Sequence, residues 1–453
     1  MKLRNIYVVA FAAIALFMLR CKGVDEQPTN LYQTNKTAAY SGTFAHDWIQ
    51  LSDQCIKENN LAGPHAARAY GYLGLALWES LYNGIPGAKS MAAQINDYPR
   101  AVPIDELKIY DWGVVMSNTL RIVFPEVMDQ ITDTQRSAVA LLAERQEDKL
   151  SAGISERSVF DRSKALGIAI GQSIVARARK DGREIIRNIV PQLPVRDAAH
   201  PWYWDRTTYN QHPVEPMWGT LRTFVIAHSQ VCEAEEPTPY STASGSAFYK
   251  EAQEIYYTPR SDQNKKLAYH FDNGPGRTSS PAGHWICIAK QFLEKDDRDL
   301  AFCAKVYCLA GFAVADAYSS AWYMKYKYNM LRPATYIKEQ FSTGWEPILS
   351  TPPYPDYISA SAILGGALPV VLVSELEDRT FVDRTHLGSA LYTPEGGPFL
   401  LPERQFESIT HCGEQMAESR VVGGVQFRRS CEEGINSGRC IGNIILNNLD
   451  FGF

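Results

Sequence analysis

The chain has 453 residues, 45% of them hydrophobic and 21% charged, which supports an ordered fold with a large core and excludes an intrinsically disordered protein. Its net charge of −5 leaves no basic field for a nucleic acid. Aromatic residues make up 11%, with nine Trp and 24 Tyr, enough to line a surface as well as fill a core.

Met1 to Arg4 are positively charged, and Ile6 to Leu19 form an apolar run too short for an ordinary membrane-spanning helix. Cys21 follows it. Residues 1–21 therefore read as a lipoprotein-type export signal, cleaved before Cys21 and acylated on it, which predicts an exported protein anchored by lipid at the cell envelope. Residues 22–43, with Pro28, Asn30, Gln33 and Asn35, read as a polar tether. Nine Cys less Cys21 leaves eight. That number permits disulfides outside the cytoplasm with the connectivity open. Cys303 and Cys308 read as helix-core residues. There is no CxxC and no Cys/His cluster at zinc spacing, so no structural metal is expected.

Helical periodicity dominates residues 44–187, the N-terminal helical part. Helices are predicted over Phe44–Lys57, Pro64–Tyr82 (Pro at its start, Gly84 after it), Pro103–Val123, Thr134–Arg145 and Ser155–Lys180. Residues 188–280 are dense in Pro and Trp and read as irregular chain with one short helix at Ser246–Tyr256. In residues 281–453 helices resume at Ala282–Leu293, at Asp299–Leu331 (one helix or two), and at Ile358–Leu376, Glu403–Arg428 and Cys431–Leu449. Strand-like alternation is almost absent, and the fold class is all-α.

Three segments of that last part carry groups that suit an oxyanion. In KYKYNMLRP, Lys325 and Arg332 are seven apart; on one helix they share a face roughly 10 Å apart along the axis and can clasp an oxyanion with an ammonium and a guanidinium. In PDYISASA, Ser359 and Ser361 open a helix, whose free N–H groups and dipole favour an anion. In SRVVGGVQFRRS, Arg420 precedes a glycine pair, with Gln426 and Ser430 one turn apart on the same face. Singly, each reads as a solvated stripe or a cap.

Together, Lys-x6-Arg-Pro, a Ser-rich helix start and Ser-Arg-x-x-Gly-Gly resemble the vanadium-dependent haloperoxidase and type 2 phosphatidic acid phosphatase superfamily. Ser280–Ala289, Val314–Ile337, Ser419–Gly442 and Ala66–Glu79 look like its bacterial secreted branch. The resemblance implies a helical bundle of the vanadium haloperoxidase/acid phosphatase type whose pocket binds phosphate or vanadate. Lys325, Arg332, Ser359 and Arg420 match the family's oxyanion ligands, and Ala360 stands where its Gly lends an N–H. Three positions depart: Ser361 replaces the acid/base His, Gln426 the His that attacks phosphorus or coordinates vanadium, and Ser430 the Asp that orients it.

A phosphohistidine mechanism needs an imidazole, and a glutamine amide is neither basic nor usefully nucleophilic. With the His gone, a buried Asp at 430 would be an unpaired charge, whereas Gln426 and Ser430 can hydrogen-bond as a neutral pair. The resulting expectation is a catalytically impaired homologue that keeps a phosphate- or vanadate-binding pocket, has no nucleic-acid partner, and meets the membrane through its lipid. Two alternatives stand beside it: an active phosphoesterase or haloperoxidase with water positioned by Gln426, and a pocket repurposed for an organic ligand along Trp202, Trp204 and Trp218. His411, nine residues before Arg420, and His284 are not expected to replace the missing histidines; His284 reads as structural or pocket-lining. Oligomeric state is not legible.

Overall fold

The computed structural model describes residues 36–154, 156–205, 212–274, 276, 280–392 and 398–452. The export signal, Cys21 and most of the tether lie outside the described residues.

The fold is helical, as the periodicity predicts. The N-terminal half contains α1 (Thr43–Glu58), α2 (Gly63–Leu81), α3 (Trp112–Val127), α4 (Asp133–Ser151), α5 (Arg157–Ala178) and a short α6 (Arg183–Ile186). After α7 (Ala247–Tyr257) and α8 (Asp262–His270), the C-terminal half adds α9 (Pro281–Lys295), α10 (Leu300–Tyr328), α11 (Pro333–Gln340), α12 (Ala360–Val373), α13 (Ile409–Val422) and α14 (Arg428–Asn448). Residues 37–43, inside the stretch read as tether, already dock. Thr37 Oγ1 donates to Leu81 O at 3.0 Å and Leu300 N to Tyr40 O at 2.9 Å.

Caps explain where helices begin. The predicted start at Pro103 is wrong: Asp111 accepts Val114 N at 2.9 Å, so α3 starts at Trp112. Thr132 and Gln135 form a capping box at α4.

The core is built on α2 and α10. All of α2 from Pro64 to Leu81 is buried, so it meets protein on every side. It crosses α10 where small residues let backbones touch. A Cβ on Gly74 would lie 2.5 Å from Tyr307 O, and one on Gly311 2.5 Å from Tyr70 O. Helix α10 is long and apolar enough to cross a membrane, but 89% of its apolar window is buried within the fold, as a core helix is.

The structure corrects two further expectations. Among the described residues there are four short strands: β1 (Phe381–Asp383) pairs antiparallel with β4 (Arg404–Phe406), and β2 (Ala390–Tyr392) with β3 (Pro398–Leu400). The helix predicted from Glu403 therefore begins as strand, and α13 opens only after Ser408 caps His411 N at 3.0 Å. The irregular segment also contains α8, capped by Ser261; its polar sequence hid the period. Cys232 and Cys440 form a disulfide that ties this segment to α14, while Cys303 and Cys308 are buried and free.

Two buried groups pin the irregular segment. Asp316 on α10 accepts the N–H groups of Phe224, Val225 and Ile226 at 2.6, 2.8 and 3.0 Å. Burial pushes its carboxyl up to about 6. His65 on α2 meets Asp129 through Nδ1 and Glu215 through Nε2 at 2.9 Å, with Arg183 3.4 Å from Asp129. Burial alone would depress the imidazole, but the two carboxylates outweigh it and raise its pKa above the usual 6.5. A raised pKa stabilises the fold fully below the unfolded value, and this is lost as pH rises through the folded one. The stability gap between wild type and His65→Gln, from urea melts across pH, is thus expected to be widest below about pH 6.5 and to narrow in alkali. A gap that does not change with pH would refute the charged pairing.

Candidate functional site: a buried oxyanion cluster

Helix α10 delivers Lys325 in its last turn and then stops. Asn329 takes the left-handed conformation, with φ 47°, and its N–H bonds Lys325 O at 3.0 Å. Arg332 is not two turns along the same helix, as the spacing suggested. It stands beyond the bend with extended backbone, φ −86° and ψ 154°, as the residue before Pro333 must. The two cations meet because both reach the carbonyls of the loop before α12.

Lys325 is wholly buried. Its Nζ donates to Pro355 O at 3.2 Å, Asp356 O at 2.9 Å and Ile358 O at 2.6 Å. An ammonium has three protons, and all three are engaged. Burial and then Arg332 pull its pKa well below the ordinary value, against Asp356; the three carbonyl acceptors favour the charged form. Arg332, 1% exposed, donates from Nε to Tyr354 O at 2.9 Å and from Nη1 to Val425 O at 2.8 Å. Its Nη2 is buried with no acceptor. Asp356 Oδ1 lies 3.8 Å from Nη1. Burial raises this carboxyl to about 6 against the pull of Arg332 and Lys325.

Ser359 caps α12, its Oγ accepting Ala362 N at 3.2 Å, and its own N–H donates to Ser430 O at 3.0 Å. Ala360 opens the helix, so its N–H has no acceptor within the helix. Ser361 follows in the same first turn, 6% exposed. Arg420, in the last turn of α13, donates to Ser419 Oγ at 3.1 Å and from Nη2 to Phe271 O at 2.8 Å.

Gln426 and Ser430 are not on Arg420's helix, contrary to expectation. Helix α13 ends at Val422, Gly424 turns the chain with φ 77°, and Ser430 lies in the first turn of α14. The pair nevertheless forms. Gln426 Nε2 reaches Ser430 Oγ at 3.4 Å and Asp356 O at 3.0 Å, and Ser430 Oγ donates to Asp356 O at 3.2 Å. The cluster thus sets two cations, Lys325 and Arg332, beside Asp356, with the neutral Gln426 and Ser430 on the carbonyl of the same residue.

The three tryptophans do not share a wall. Trp218 is buried with its ring 5.0 Å from that of His65. Trp204 borders a surface cleft of about 540 Å³ with Val190, Pro194, Arg196 and His212. Trp202 packs on Tyr203 and His200.

Sequence reading missed Asp356, although it lies within the second segment. It also missed a buried group of His270, His284 and Asp383. Their positions are 14 and 99 residues apart, and no linear signal joins them.

Comparison with known proteins bears on this geometry. The family model of the VCPO second helical-bundle domain matches residues 305–450, which include all eight positions of the oxyanion cluster read from the sequence. No curated protein matches. Among solved structures, the first bacterial vanadium-dependent iodoperoxidase superposes with a TM-score of 0.82 at 27% identity, over 94% of this chain and 99% of that one. A holo-type bacterial vanadium-dependent chloroperoxidase superposes at 0.64 with 16% identity, covering 86% of this chain and 92% of its own. An apo-type chloroperoxidase does so at 0.63 with 17% identity, covering 84% and 92%. The last two show a shared fold. Residues 305–450 match the model of the VCPO second helical-bundle domain, and nearly the whole chain is similar to the iodoperoxidase; together these likenesses support the vanadium-dependent haloperoxidase superfamily.

Proposed function

We propose that this protein is an exported, lipid-anchored member of the superfamily that binds a small oxyanion and does not turn it over. The observation that carries the reading is the neutral Gln426–Ser430 pair beside Arg332, whose buried Nη2 lacks an acceptor. Phosphate or vanadate would be held by Arg332 and Arg420, by the N–H of Ala360 at the start of α12, and by the charge of Lys325. A vanadium centre held through an imidazole nitrogen does not fit, because the ring's place is taken by an amide already donating to Asp356 O. Export is supported by the Cys232–Cys440 disulfide, which suits an oxidising compartment, and acylation at Cys21 would supply the anchor.

Iodide or bromide oxidation by peroxide with orthovanadate, and hydrolysis of an aryl phosphate, are expected at the no-protein background. Calorimetric binding of phosphate and orthovanadate is expected in wild type and weakened in Arg332→Lys, which keeps the charge and loses Nη2. Turnover abolished by Lys325→Ala would overturn the reading. The iodoperoxidase likeness favours a second one, an active enzyme with altered machinery, and turnover sensitive to Gln426→Ala would identify it.

A further inference from the structure

Five polar side chains converge outside the oxyanion cluster. His270 ends α8 and Asn273 follows it; His284 lies on α9; Asp383 ends β1 and His386 follows. His270 is 2% exposed, His284 and Asp383 0%, His386 1% and Asn273 6%. Sequence spacing predicted no metal ligands here, because three separate stretches supply them.

The two imidazoles address one carboxylate oxygen. His270 Nε2 and His284 Nε2 lie 2.9 and 2.6 Å from Asp383 Oδ2. The other oxygen, Oδ1, is already taken by Thr385 N at 2.9 Å, Thr385 Oγ1 at 2.6 Å and Gln291 Nε2 at 3.2 Å. The carboxylate is thus anchored through one oxygen and presents the other. The ligand atoms of His270, His284 and Asp383 lie within 4.8 Å of one another. Tetrahedral bonds of about 2.0–2.1 Å place donors roughly 3.3 Å apart, so an ion fits once the nitrogen–oxygen pairs at 2.9 and 2.6 Å open slightly and wider separations, up to 4.8 Å, close.

Counting protons points the same way. His284 faces an oxygen on each side: Asn273 Oδ1 lies 3.2 Å from Nδ1, and Asp383 Oδ2 faces Nε2. A neutral ring has one proton and can satisfy one of them. Either a second ring proton or a metal cation between Nε2 and Oδ2 resolves the conflict; with the metal, Nδ1–H donates to Asn273, the second-shell bond that orients a ligating histidine. Turning the Asn273 amide over would relieve His284 only by exchanging one orphaned group for another, since Nδ2 now lacks a partner and Oδ1 would then lose its contacts with His284 and His386. His386 lies with its ring 4.5 Å from that of His284, and its Nδ1 is buried without a partner, leaving it available as a fourth donor.

We propose that His270, His284 and Asp383, with His386 in reserve, bind a structural divalent transition-metal ion. Two imidazoles and a carboxylate suit Zn²⁺, with Co²⁺ as its spectroscopic substitute, and do not suit Ca²⁺ or Mg²⁺, which take oxygen ligands. The ion would fasten the strand excursion that begins at β1 to α8 and α9. It would also fix the carbonyl of Phe271, next to His270, which accepts Arg420 Nη2, and so link this centre to the oxyanion cluster. The proposal does not depend on whether that cluster binds an anion.

Chelator-stripped protein titrated with Co²⁺ is expected to develop the visible d–d bands of a tetrahedral nitrogen/oxygen site at about one equivalent. Zn²⁺ should bleach them and raise Tm. His270→Gln and His284→Gln are each expected to lose the bands. Because His284 is wholly buried, the wild-type spectrum stands as the readout independent of the variants' folding. Natively folded wild type without bands and without a Tm response to Zn²⁺ would overturn the proposal. Bands of unchanged intensity in folded His270→Gln would place the ion elsewhere and overturn it equally.

Discussion

The triple variant Ser361→His, Gln426→His, Ser430→Asp is expected to oxidise iodide with peroxide and orthovanadate, where wild type stays at background. The gain should be on the order of 10² or more, since a positioned acid–base group contributes roughly 10²–10⁴-fold and loss of a nucleophile unit costs about 10⁶. The scaffold for the gain is in place. Arg332 and Arg420 act electrostatically on each other and on Tyr354, and Ser430 Oγ lies 3.4 Å from the Gln426 amide, so a longer Asp at 430 can reach an imidazole at 426 and fix its tautomer. Gln426→His alone should gain far less, because Ser430 cannot balance an imidazolium. The position of Ser361 is tight at 6% exposed, and overpacking there costs about 1–3 kcal/mol, so the melt of the variant must accompany its assay. A folded triple variant that binds vanadate yet stays inert would sink the idea that these three replacements are what silences the site.

Removing a charge from this cluster is expected to destabilise the whole fold. Arg332→Ala should cost about 3–5 kcal/mol, because it leaves the buried Asp356 carboxylate without its guanidinium and strips the carbonyls of Tyr354 and Val425 of their donor. Pairing it with Asp356→Ala should recover part of the loss, and a double-mutant cycle by urea denaturation measures the coupling. Strictly additive losses would mean that Asp356 is held by Lys325 and its surroundings rather than by Arg332. Burial already pushes Asp356 up to about 6. In Arg332→Ala the carboxyl should therefore protonate more readily, and the deficit should shrink toward acid pH.

How far the sequence reaches can be read residue by residue. Local signals act over a few residues and were legible: the period of α2, the Pro64 start, the Ser359 cap and the all-α class. The chemistry of Gln426 and Ser430 was legible too, because an amide and a hydroxyl form a neutral pair wherever the backbone brings them together. Helix limits were less legible. Asp111 delays α3, β4 replaces the start expected at Glu403, and Asn329 breaks the helix on which a spacing of seven would put Lys325 and Arg332 on one face.

Only the tertiary structure decided where donors and acceptors end up. Lys325 spends its protons on three carbonyls some 30 residues away, Arg420 reaches back to Phe271, and His270, His284 and Asp383 gather from three separate stretches. Sequence fixes which groups a residue offers and, through its near neighbours, the helix it sits on. Which groups meet in the dry interior depends on how whole helices cross, and there every buried donor must find a partner however distant in the chain.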